Sequence, residues 1–117
     1  MNAFIGWDDF EKVDIRVGTI VDAQIFQEAR VPAYILRIDL GDDLGILKSS
    51  ARLTDLYSLE SLIGRQVLAV VNFHPKQIGP IQSQCSVLGF YDAHQRVVLA
   101  VSDTVSGREI HNGARLL

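Results

Sequence analysis

Two stretches near the start of the chain repeat their apolar residues at every second position. In DIRVGTIVDAQIF (14–26), Ile15, Val17, Val21, Ala23 and Ile25 share one face. In AYILRIDL (33–40), Tyr34, Leu36, Ile38 and Leu40 do the same, with Arg37 and Asp39 opposite. A period of two is that of a strand with one face on a core. Gly18, inside the first stretch, suits a bend or bulge. GDD at 41–43 signals a turn, and LGILKS after it reads as the return strand of a hairpin.

The period then changes once. In SARLTDLYSLESLIG (50–64), Leu53, Leu56 and Tyr57 stand at i, i+3 and i+4, the spacing of one face of a short helix that Gly64 can end. Three apolar, β-branched segments follow: QVLAVVNF (66–73), CSVLGF (85–90) and RVVLAV (96–101). A short helix is expected at 7–12, with Trp7 and Phe10 three apart and Asp8 and Asp9 capping or charging its start. Three strands, a helix, then further strands is the layout of an OB-fold: an all-β, five-stranded Greek-key barrel with a helix between strands three and four. A bent first strand fits it, because that strand serves both halves of the barrel. The 117 residues suffice for one domain, taken as 1–117 with an N-terminal extension (1–13) and a C-terminal extension (102–117).

The charge is unevenly placed. Residues 1–60 carry eleven acids against six Lys and Arg, and residues 61–117 three against five, within a net charge of −3. From Ser61 to Tyr91 there is no Asp or Glu. Inside this gap lies NFHPKQIGPIQSQ (72–84), a loop rich in amides, with one lysine, between two apolar segments. A local field depends on nearby charges, so an acidic chain can still offer an anion-binding face.

Catalysis has no motif here: no nucleophile elbow, phosphate loop or dinucleotide fingerprint. His74, His94 and His111 lack metal-ligand spacing, and Ser83 near Cys85 reads as a hydrogen-bonding residue. No catalytic residue, metal or cofactor is expected. No apolar run has the length of a membrane span or a signal peptide, so no membrane insertion is expected. With its lone Cys85, the chain suits a reducing, cytoplasmic setting.

The combination FEKVDIRVGTI (10–20), EARVPAYILRIDLG (28–41), GILKSSARLTDLY (45–57), QVLAVVNFHPKQI (66–78), SVLGF (86–90) and HNGARL (111–116) resembles the CsaA-type family. This is a homodimeric branch of the EMAPII-like tRNA-binding OB-fold domains, described also as export-related chaperones. The resemblance implies a tRNA-binding homodimer. Its RNA surface would use Lys48, Ser49, Ser50, Asn72, Lys76, Gln77, Ser83 and Gln84. Its dimer contact would use Trp7, Phe10, Val13, Ile110, Leu116 and Leu117. The family commonly has a second basic residue where Gln77 stands, another at Gln82 and a glycine at Pro80, so fewer phosphate contacts and a shallower salt dependence are expected. The alternative partner is an unfolded or precursor protein, held in an apolar groove to which Phe26, Tyr34, Ile78 or Ile81 would contribute if exposed.

Overall fold

The computed structural model describes residues 2–117. Short helix α1 (Trp7–Glu11) leads into β1 (Ile15–Ile25), β2 (Tyr34–Asp39) and β3 (Ile46–Ala51). Helix α2 (Leu59–Leu62) separates them from β4 (Gln66–Val70), and then come β5 (Lys76–Ile78), β6 (Ile81–Ser83), β7 (Ser86–Val87), β8 (Gly89–Tyr91) and β9 (Val97–Leu99). Five strands form one antiparallel sheet in the order β3-β2-β1-β4-β7, while β5–β6 and β8–β9 are separate hairpins.

The sheet curls into a nearly closed OB-fold barrel because β1 is shared. Its first half, Ile15 to Thr19, pairs with β4, and its second half, Thr19 to Ile25, pairs with β2. The register shifts between Ile20 and Asp22. This bulge corrects the expected face of β1. Ile20, before the shift, is in the main core, Ala23 beyond it packs against that core as expected, Ile15 and Val17 are buried outside that cluster, and Val21 and Ile25 are exposed. Gly18 serves close approach: a Cβ there would fall within 3.0 Å of Ile38 and Leu40 side-chain atoms. β2 follows its pattern, with Tyr34, Leu36, Ile38 and Leu40 all in the main core.

The barrel closes at β3 without a full ladder. The Gln84 and Cys85 N–H groups both donate to the Lys48 carbonyl, at 2.8 and 3.3 Å. The expected fifth strand, 85–90, is broken at Leu88. Its first part (β7) stays with β4 and its second (β8) pairs with β9. α2 is also shorter than the sequence suggests. Leu53 is buried, but Leu56 is exposed in a turn, and the helix starts only after Ser58, whose Oγ accepts the Ser61 N–H at 3.2 Å. Gly64, at φ +84°, ends it as expected.

A second small core lies outside the barrel. Phe26, Ala33 and Ile35 are buried there, with Ile78 and Ile81 packed on them. This fastens the β5–β6 hairpin to the outer face of β2. It also corrects one expectation: Phe26 and Tyr34 are 3% and 8% exposed and cannot line an open groove.

Both termini run along the barrel. The Val17 N–H donates to the Ala114 carbonyl and the Leu116 N–H to the Ile15 carbonyl, so the tail takes over as the neighbour of β1 where β2 leaves off. Asp14 receives the Arg16 guanidinium on both carboxylate oxygens, at 2.6 and 3.1 Å, and Arg115 lies 3.6 Å away. The Arg16 hydrogen bonds hold the Asp14 carboxyl below the usual carboxylate value, against a smaller opposing effect of burial.

Candidate nucleic-acid interface

Strand alternation settles which β3 side chains can meet a ligand. Ser49 points inward and is 0% exposed, so Lys48 and Ser50 point outward. Ser49 is therefore a packing residue, a correction to its expected place on an RNA surface. Outside β3, the β5–β6 hairpin and the chain before it form a wall. Between them is a cleft of about 520 Å³, lined in part by Ser50, Phe73, His74, Lys76, Ser83 and Gln84. No acid is among its lining residues. The acid-free stretch of sequence thus becomes an acid-free concavity with a lysine on its wall.

Four of the eight expected residues, Ser50, Lys76, Ser83 and Gln84, meet in this cleft. The others do not. Lys48 shares the outer face but stands opposite Arg37 in the ladder, and Arg37 is 4.0 Å from Asp22. Gln77 is exposed at the hairpin, where its amide donates to the Gly79 carbonyl at 2.8 Å. Asn72 is turned to the N-terminal extension: its Oδ1 accepts the Asp14 N–H at 2.9 Å, and its Nδ2 donates to the Lys12 carbonyl at 2.6 Å.

Ser83 and Gln84 do more than line the cleft. Ser83 Oγ accepts the Ser50 N–H at 3.0 Å, and Gln84 Oε1 accepts the Lys48 N–H at 2.9 Å. They supply acceptors to the edge of β3 that a neighbouring strand would otherwise supply. With its oxygen so used, the Gln84 amide keeps its N–H donors for a ligand, and donors suit phosphate or base acceptors. Cys85, beneath, is buried, and that burial pushes its thiol up to about 11.

Phe73 and His74, which the sequence left without a place on this surface, also line the cleft. Phe73 is 59% exposed, in a cleft otherwise lined largely by polar residues. A second cleft, of about 570 Å³, lies beside the first and shares Ser50 and Ile78 with it. Its other lining residues include Glu28, Arg30, Arg52 and Gly79.

The residues expected at a dimer contact are brought together. Phe10, Val13, Leu116 and Leu117 line one shallow groove, Ile110 joins Leu116 and Leu117 in the next, and Trp7 lies with Ile5 and Phe10. Phe4 and Ile5, missed in the sequence, are 92% and 68% exposed, and Ile5 shares a groove with Trp7, itself 87% exposed. Apolar side chains this open and this close together form an uncovered patch.

Among the described residues, no three His, Cys, Asp or Glu side chains converge as a metal site requires, and no helix is long and apolar enough to cross a membrane.

Residues 15–109 match the model of the family described as "Putative tRNA binding domain". The methionine–tRNA ligase of Pyrococcus abyssi is 34% identical over 113 residues, covering 97% of this chain and 14% of that enzyme. That of Flavobacterium psychrophilum is 37% identical over 84 residues, 72% of this chain and 12% of the enzyme. The chain spans about a seventh of the length of the Pyrococcus enzyme. Among solved structures, the chaperone CsaA of Bacillus anthracis is 42% identical, with a TM-score of 0.88 over 98% of this chain and 100% of that one. The CsaA chaperone protein of Picrophilus torridus is 39% identical, with a TM-score of 0.89 over 97% and 100%.

Proposed function

The chain belongs to the "Putative tRNA binding domain" family, and on that premise we propose that it is a non-catalytic, cytoplasmic tRNA-binding module that works as a homodimer and grips structured RNA by backbone and shape. The observation that carries this reading is the cleft between β3 and the β5–β6 hairpin. It has Lys76 on its wall, no acid in its lining and an exposed aromatic ring inside it. Removing carboxylates removes repulsion from phosphates, and Lys76 adds attraction. Hydroxyls and amides then bond phosphate oxygens or base edges without adding charge.

The hairpin is suited to this work because it is fastened before any ligand arrives. Ile78 and Ile81 sit on Phe26 and Ile35, and Ser83 and Gln84 are bonded to β3. Little ordering entropy remains to be lost on binding. In the dimer, the groove of Phe10, Val13, Leu116 and Leu117 would meet its copy across a two-fold axis, with Phe4, Ile5 and Trp7 covered by the partner. Two clefts on one assembly give avidity if both touch one RNA. Lys76→Glu tests the reading: it should weaken tRNA binding while leaving the melting temperature unchanged.

The similarity to two chaperones along the whole chain favours a second reading, an export-related chaperone for unfolded or precursor proteins. The exposed apolar surface available for it is Phe4, Ile5 and Trp7. Trp7→Asp should then abolish suppression of client aggregation. Equal suppression by that variant would remove the N-terminal patch from this role.

A further inference from the structure

The second cleft adjoins the Lys76 cleft. It lies on the far side of Ser50 and Ile78 from the Lys76 cleft, and the two share those residues as a common wall. Its basic residues come from two separate elements. Arg30 belongs to the loop after β1, and Arg52 directly follows β3. Both are exposed. Among the described residues, neither guanidinium is within salt-bridge distance of a carboxylate, whereas Arg16, Arg37, Arg96, Arg108 and Arg115 each are, and Arg65, the other arginine without such a partner, lies over the Tyr57 ring. Glu28 is the one acid in the lining, and it leaves the two arginines in excess.

Two guanidinium groups against one carboxylate give the concavity a net positive lining with more donors than acceptors, and phosphate oxygens are the ligand such a lining fits. The wall between the clefts is the outward side of Ser50 with the half-buried Ile78. It is small and uncharged, so it sets no electrostatic barrier between them. Gly79, at the turn of the hairpin, lies near Phe26 and Glu28 and lines the same cleft as the arginines.

We infer that Arg30 and Arg52 form a second phosphate-binding subsite, so that one RNA strand runs from the Lys76 cleft across Ser50 into the Arg30–Arg52 cleft, with phosphates held at both ends. The inference rests on the tRNA reading and assigns that site two further binding residues and a direction.

The test is titration of labelled unfractionated tRNA with wild-type protein, Lys76→Glu, the double variant R30Q/R52Q and the control R65Q/R96Q, each at several salt concentrations. R30Q/R52Q should lower the slope of log affinity against log salt by about two, roughly one per arginine, and weaken binding about tenfold or more at about 50 mM salt. R65Q/R96Q removes the same charge elsewhere and should leave the slope unchanged. R30K/R52K keeps the charge and should keep the slope. An unaltered slope in R30Q/R52Q overturns the inference. So does an equal loss in the control, or a lost slope in the lysine variant, which would trace the effect to folding. If Lys76→Glu alone weakens binding, the tRNA reading stands and the second subsite falls. If wild-type protein binds no tRNA at about 50 mM salt, both fall.

Discussion

The side-chain oxygen of Gln84 accepts the backbone N–H of Lys48 at 2.9 Å, so an amide side chain completes a barrel that the β-ladder leaves open. Ser83 does the same for Ser50 at 3.0 Å. Both residues stand on the candidate RNA surface, so effects of mutating them on binding and on folding must be separated.

Gln84→Ala and Ser83→Ala should each lower stability by about 1–2 kcal/mol, because each leaves a part-buried strand N–H without a partner. Urea unfolding measures this through the midpoint, with the slope unchanged. Lys76→Glu, on an exposed hairpin position, should shift stability by no more than about 0.5 kcal/mol. A neutral Gln84→Ala would show that water replaces the amide at the seam.

Asn72 joins the loop to the N-terminal extension through two hydrogen bonds, to the Asp14 N–H and the Lys12 carbonyl. Asn72→Ala should cost about 1 kcal/mol and should speed hydrogen exchange at Asp14 more than at Ile20, deep in the barrel. Equal exchange at Asp14 in both proteins would mean that Arg16 and Arg115 alone hold the extension.

The Asp14 carboxyl is held below its ordinary value of 3.8, first by hydrogen bonds from Arg16 and then by the nearby positive charges of Arg16 and Arg115, with burial opposing. A carboxyl depressed in the folded state adds stability that is present above its unfolded pKa and lost as pH falls through the folded one. Wild type should therefore exceed Asp14→Asn in stability at pH 7, and the gap should close below about pH 4. A gap that persists at pH 2 would assign the effect to packing instead.

Trp7 is the chain's one tryptophan and is 87% exposed in the single chain. If the dimer covers it, its emission is blue-shifted in concentrated solution and moves red on dilution, and Trp7→Asp sediments as a monomer. Emission at the exposed position at every concentration, with a monomer by sedimentation, would contradict the proposed contact.

Cys85 is 4% exposed, and burial raises its thiol to about 11. It should resist a thiol reagent at pH 8 in the folded protein and react fully in denaturant. Fast reaction in the native state would show that the floor of the cleft opens.

The barrel was legible because its signals are local and periodic. The alternate positions Tyr34, Leu36, Ile38 and Leu40 enter the main core, Gly64 stops α2, and the helix falls between the third and fourth strands of the sheet. The face of Val21 and Ile25 was not legible, because a bulge at Ile20–Asp22 reverses the alternation without leaving a composition signal. Nor was the inward turn of Ser49: a serine on the core side of a strand looks in sequence like one on the ligand side. At the site, the missing acids were visible, but the company each residue keeps was not. Asn72 and Gln77 spend side-chain bonds on their own backbone surroundings, while Arg30 and Arg52 meet only through the fold. Phe26 read as a possible exposed aromatic and proved to be the anchor under the hairpin. Phe26→Asp should therefore destabilise the fold by several kcal/mol.

On the proposed reading, this chain holds tRNA through the cleft beside Lys76. The most direct measurement is a titration of labelled tRNA with wild type and Lys76→Glu at about 50 and about 200 mM salt. Wild-type binding should weaken several-fold between the two salts, and the Lys76→Glu protein should be folded but bind far more weakly at the lower one. Equal affinity of the two proteins, or binding insensitive to salt, would contradict it.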